Sequence, residues 1–224
     1  MKILLVWTHP VPESYNAALR DSVLEALSTL DDTEVELLDL YTSGFDPKAP
    51  EIPIEAASDP AASDPTADTA VSATAPSASE ASNPSPAISS PIIVEHRAML
   101  QSADALVFVY PTWWDALPAM LKAWLEHLLP HAPDTDRAQE AAKEITGHIT
   151  DIVVVTTHGS SRRVNFVQGR AGRLLLLKSL RSLCHHSCRT RWISLYSIDR
   201  SSHQKRQSFL TQAATRARKH FANR

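Results

Sequence analysis

Five short apolar runs punctuate the chain at spacings that suit buried strands: residues 2–7, 34–40, 105–110, 149–157 and 191–196. The stretches between them carry apolar residues at helical intervals. Residues 14–30 place Leu19, Val23, Leu24 and Leu27 on one face, and residues 117–129 do the same with Leu121, Trp124, Leu125 and Leu128. Residues 173–184, 204–221 and the shorter 91–101 complete the helices. Near-continuous apolar strands separated by helices predict an α/β domain, a parallel sheet covered on both faces. Ligands bind such sheets beyond the carboxyl ends of the strands. Residues 9–16, 111–118 and 156–163 are therefore where chemistry is expected.

One stretch breaks the pattern. Of the 36 residues from 55 to 90, 28 are Ala, Ser, Pro or Thr, and only Val71 and Ile88 are large and apolar. Such a composition cannot bury enough apolar area to offset its ordering entropy. It reads as a disordered insertion, at about 47–91, in a surface connection of a single domain spanning 1–224.

Composition removes several function classes. The five glycines, at 44, 147, 159, 169 and 172, form neither G-x-G-x-x-G nor a Walker loop, so no glycine-rich cradle holds a nucleotide phosphate. No apolar run approaches the ~20 residues of a membrane span. The start, MKILLVWTHP, reads as a first strand rather than a secretory leader. Two cysteines, Cys184 and Cys188, make no disulfide framework, and a reducing cytoplasm is the expected location. Charge is uneven: residues 1–96 carry 16 acids against 3 bases, whereas from Ser160 onward 15 bases face the single acid Asp199. Without aromatic–basic interleaving, mutual neutralisation of the two halves or a phosphorylated ligand fits better than nucleic acid.

The first of the three segments, H-P-V-P-E-S-Y-N, runs into a helix. Ser14 or Asn16 can cap it and offer hydroxyl, amide and backbone N–H groups to an anion. A plain N-cap is the alternative. The second, Y-P-T-W-W-D-A-L-P, sets two adjacent tryptophans at a strand end, where side chains point to opposite faces. One can flank a planar ligand; a core-closing aromatic cluster is the other account. The third, T-T-H-G-S-S, offers hydroxyls, a histidine and backbone N–H groups able to stabilise developing negative charge.

Together these segments resemble the flavodoxin-like NAD(P)H:quinone oxidoreductase family. The family pattern is H-x6-N, then P-x-x-W with x-x-x-P-A-x-L-K-x-W, then T-T-x-G. It is met here by His9 and Asn16, by Pro111, Trp114, Pro118, Ala119, Leu121, Lys122 and Trp124, and by Thr156, Thr157 and Gly159. The resemblance covers residues 1–45 and 97–224. It implies a five-stranded doubly wound sheet of order 2-1-3-4-5 and a tightly bound flavin, FMN or FAD. On that reading His9, Ser14, Tyr15 and Asn16 take the phosphate. Pro111, Thr112, Trp113, Trp114 and Asp115 line the ring, and Thr156, Thr157 and Gly159 meet its polar edge. The implied reaction is ping-pong: NAD(P)H reduces the flavin, leaves, and a quinone-type acceptor takes the hydride from the same pocket. A homodimer is implied as well, with residues 122–129 contributing to its surface.

Departures from the family pattern matter. Val164 and Arg170 stand where animal quinone reductases carry a Tyr and a His that shuttle charge. His158 is the candidate substitute proton donor. Ala116 replaces a glycine, and His131, Ala132, Pro133 and Asp134 follow Glu126-His127 where a Gly-x-Ala-Phe segment is usual. Arg162, Arg163, Arg170 and Arg173 could draw nucleotide phosphates, favouring NADPH, or form a solvated basic face. Cys184, His185, His186 and Cys188 read as a helix-terminal turn with packed thiols rather than a metal site, and His127 with His131 as a solvated helix face. The rival functions are an azo- or nitro-reductase and a regulatory flavoprotein subunit of a potassium-efflux system docked on a membrane partner.

Overall fold

The computed structural model describes residues 1–48, 90–129 and 136–222. The expected insertion falls largely outside these residues, as does His131. Five strands, β1 (Lys2–Trp7), β2 (Glu34–Asp39), β3 (Ala105–Thr112), β4 (Asp151–His158) and β5 (Arg189–Leu195), form one sheet of order β2-β1-β3-β4-β5. All four pairings are parallel. The predicted topology is the observed one.

Strand alternation sorts the core into two layers. Leu4, Val6, Leu106, Phe108, Tyr110, Ile152 and Val154 face one side of the sheet. There they meet α2 (Pro91–Ser102) and α3 (Ala119–Leu128), through Ile93, Leu100, Leu121, Trp124 and Leu128. Ile3, Leu5, Trp7, Val107, Val109, Val153 and Val155 face the other side, against α1 (Tyr15–Ser28) and α7 (His203–Ala222). Burial of both faces explains why the strands read as apolar runs rather than alternating ones.

Two helices escaped the sequence pattern. The helix α4 (Asp136–Thr146) buries only Ala142, Ile145 and Thr146. In α5 (Arg162–Val167) the one buried residue is Asn165, while Val164, Phe166 and Val167 are exposed. The stripe of α4, Ala138, Ala141, Ala142 and Ile145, is mostly alanine and so only weakly apolar, and α5 has no stripe at all. The expected helix at 173–184 is a short α6 (Ala171–Leu174) running into a π-helical turn, Leu175–Leu180. The chain then closes as predicted for the cysteine cluster. Cys184 and Cys188 are buried free thiols in the core, and Arg181 donates to the carbonyls of Cys188 (3.0 Å) and His186 (3.2 Å).

At the edge of the sheet away from the three segments, a buried carboxylate locks the strand starts. Asp151 is fully buried and accepts from Arg189 Nε at 2.8 Å, His220 Nε2 at 2.9 Å and the Thr150 hydroxyl at 3.0 Å. Burial by itself would raise its pKa; these hydrogen bonds outweigh it and hold the group at about 2. The first residues of β4 and β5 and the last turn of α7 are thereby tied to one point.

Candidate active site

At the carboxyl end of the sheet, β1 ends in Trp7, whose indole N–H donates to Asn16 Oδ1 at 2.9 Å. That bond draws the start of α1 onto the strand. Ser14 is the N-cap, its hydroxyl accepting from Ala17 N at 3.1 Å. The Val11 N–H folds back onto His9 Nδ1 at 3.0 Å. The His9 ring lies between Trp7 and Trp113, with centroids 6.4 and 6.1 Å away, and so joins the first segment to the second. Tyr15 commits its hydroxyl to the Arg206 carbonyl on α7 at 2.8 Å, and burial pushes its pKa up to about 12. What Tyr15 leaves at the helix mouth is its backbone N–H.

The second and third segments begin inside strands rather than loops. Pro111 and Thr112 are strand residues of β3, in register with Thr157 and His158 of β4. The hydroxyls of Thr112 and Thr156 meet at 2.9 Å across that register. After Thr112 the chain makes a tight turn: Ala116 N donates to Trp113 O at 3.0 Å, and Trp114 and Asp115 have φ of +49° and +61°. Two consecutive positive φ values are the signature of a type I′ turn, which favours Asn-Gly. Trp-Asp in their place costs on the order of 1–3 kcal/mol per residue. The result is a fully exposed Trp114 beside a Trp113 that is 40% exposed.

Behind this turn the Asn165 amide donates to Asp115 Oδ1 and lies 3.4 Å from His158 Nδ1. His158 is only 2% exposed and stacks on Tyr196 at 4.5 Å and 14°. Burial pushes its imidazole down to about 4, so the ring is neutral at pH 7. The expectation of a titration near working pH is corrected here: the buried ring has no second proton to give. Gly159 is tight as well, since a Cβ there would sit 2.9 Å from Asp199 Oδ2.

Thr112, Trp113, Trp114, Asp115, His158 and Gly159, with Ser160 and Gln168, line an open cleft of about 360 Å³. Strand register thus assembles six of the sequence-predicted residues in one concavity. His9 reaches it through Trp113, while Ser14, Tyr15 and Asn16 form the adjoining helix mouth. Pro111, Thr156 and Thr157 are buried supports. Trp192 and Tyr196 went unpredicted as site residues because their segment reads only as a strand, and Asn165 because no pattern marks the short helix that carries it. Arg170 packs over Phe166 at 4.3 Å and Arg173 lies 6.0 Å from the Trp192 ring.

The residues fit a flavin on two counts. The Asn16 side-chain amide nitrogen is buried and lacks a hydrogen-bond partner among the described residues, a donor left over for an anionic group at the mouth of α1. The cleft wall presents indoles suited to a planar ring.

The chain belongs to the flavodoxin-like fold family, whose match spans residues 1–221. Among curated proteins it is similar to the rat ribosyldihydronicotinamide dehydrogenase [quinone], 34% identical over 129 residues. That match covers 57% of this chain and 51% of the relative. The guinea pig NAD(P)H dehydrogenase [quinone] 1 is 30% identical over 57% of this chain and 42% of its own length. The chain thus spans about half the length of the curated relatives it matches. Among solved structures, an NAD(P)H:quinone oxidoreductase from Methanothermobacter marburgensis superposes with TM-score 0.68 at 21% identity, over 99% of this chain and 96% of that one. An FMN-dependent NADH-azoreductase from Bacillus anthracis, in complex with FMN, gives 0.62 at 12% identity over 99% of both chains. These two share the fold.

Proposed function

We propose that this protein is a flavin-dependent oxidoreductase that passes a hydride from NAD(P)H, through bound FMN or FAD, to quinones or related electrophiles. One observation carries the reading: the second and third sequence segments line one cleft with an indole wall, and the first stands beside it through the contact of His9 with Trp113, the mouth of α1 following. The names of the curated relatives support the same chemistry. When bound, the flavin would supply the two-electron exchange with nucleotide and acceptor.

The protein's part is to hold and orient. Ser14, Tyr15 and Asn16, with His9 packed beside them, would grip the phosphate with helix-terminal donors. Pro111, Thr112, Trp113, Trp114 and Asp115 would line the ring, and Thr156, Thr157 and Gly159 its polar edge. The exposed apolar side chains of Trp114, Phe166, Val167 and Leu174 support a homodimer that covers this end of the sheet. Two half-reactions in one pocket predict parallel double-reciprocal lines when NADPH is varied at several quinone concentrations. Intersecting lines contradict the proposal.

His158 enters as a neutral group that keeps the cleft wall in place. Replacing it with Ala is expected to lower turnover about tenfold, the effect of a small misplacement in a preorganised site, with flavin content unchanged. Because burial holds the ring neutral above about 4, kcat/KM is expected to show no His158 inflection between about pH 5.5 and 8. Unchanged turnover in the variant, or an inflection that it removes, contradicts this role.

A further inference from the structure

Behind the 113–116 turn lies a second, small space of about 10 Å³, lined by Thr112, Asp115, His158, Asn165, Gly172 and Trp192. Arg170 and Arg173 line it as well. A volume of roughly one solvent sphere holds one water molecule. Three of the bounding side chains carry a buried polar atom with no hydrogen-bond partner among the described residues: Asp115 Oδ2, His158 Nε2 and Trp192 Nε1.

Their chemistry fixes what fits between them. An indole N–H only donates, and a carboxylate oxygen only accepts. The Asn165 amide donor facing His158 Nδ1 leaves the imidazole proton on Nε2. Two donors and one acceptor therefore bound a water-sized space. A metal cation is refused by the two N–H groups and an anion by the carboxylate. An apolar filler leaves three buried polar atoms unsatisfied. A water molecule accepts twice and donates once or twice, which matches.

We propose that one internal water is bound by His158, Trp192 and Asp115, and that it makes Asp115 the positioning residue of the 113–116 turn. Asn165 holds one carboxylate oxygen of Asp115 and the water holds the other. The side chain is thus anchored at both ends, while its own backbone stays in the left-handed region that the turn requires. Through it, β4, β5 and α5 determine where Trp113 and Trp114 stand.

The test reads the water and the turn separately, on flavin-free protein and on protein incubated with FMN, so that a failure of redox chemistry leaves it intact. In the full chain, the Trp192 indole proton, assigned by its loss in Trp192→Phe, is expected to show cross-relaxation with a long-lived water. Asp115→Ala is expected to abolish that signal, to speed solvent exchange of the indole proton at least tenfold, and to shift the amide resonances of residues 113–116. Asp115→Asn keeps an oxygen for Asn165 but turns a donor toward the water. It is expected to lose the water signal with smaller turn shifts, and it serves if Asp115→Ala does not fold. A crystal structure is expected to show one water within about 2.7–3.2 Å of the three atoms. No cross-relaxation in the unaltered protein, an arginine seated directly on Asp115, or turn resonances indifferent to both Asp115 variants would overturn the proposal.

Discussion

Replacing Asp151 with Ala is expected to lower the free energy of unfolding by about 3 kcal/mol. Removing one partner of a buried charge pair typically costs about 3–5 kcal/mol. The low end applies because the Arg189 side chain keeps 40% exposure and can rehydrate. Three elements lose their common anchor, since Arg189 opens β5 and His220 ends α7. The effect has a defined pH dependence. Asp151 titrates at about 2 in the folded protein against 3.8 when free, so its contribution is fully present above about 3.8 and fades as pH falls through about 2. Denaturant melts at pH 6 are expected to separate the two proteins clearly, and melts near pH 2 to bring them together. A difference that stays constant across that range contradicts the assignment.

The second large effect concerns the helix mouth. Asn16→Leu keeps the shape of the side chain but removes the amide that both accepts from Trp7 and leaves an N–H free. A hydrogen bond to a charged phosphate is worth about 1.5–3 kcal/mol. Flavin affinity is therefore expected to fall about tenfold to a hundredfold. Ser14→Ala removes a cap worth about 1 kcal/mol to the helix and is expected to weaken flavin binding less. Equilibrium titration with FMN and FAD, followed by flavin fluorescence, measures both. Thermal melts of the flavin-free variants separate binding from folding. Equal affinity in Asn16→Leu and the unaltered protein would remove the mouth of α1 from the proposed site.

Much of this molecule was legible because both faces of the sheet are buried. Apolar runs such as the one ending in Trp7 can only be central strands, and the helices that cover them must carry stripes like Leu121, Trp124, Leu125 and Leu128. The same logic failed where burial is slight. The helix α5 shows Val164, Phe166 and Val167 to solvent and hides only Asn165, so nothing in its pattern marks it as helical. The three site segments were readable from residue type and order. Their internal geometry was not. That Pro111 and Thr112 continue β3 beyond its expected end at 110 follows from their register with Thr157 and His158 of β4, a long-range fact. The left-handed pair Trp114 and Asp115 violates the local preference for Asn-Gly, and only the bond from Asn165, distant in sequence, shows what holds it. His158 lines the cleft, and its neutrality comes from burial that residue type alone does not reveal.

An absorbance spectrum of the purified chain, before and after anaerobic addition of NADPH, reads out in one cuvette whether the cleft holds a flavin that exchanges electrons. Flavin bands are expected, present as isolated or after incubation with FMN or FAD, that bleach with NADPH and return when a quinone is added. A protein that stays colourless after incubation with either flavin would contradict the proposed function.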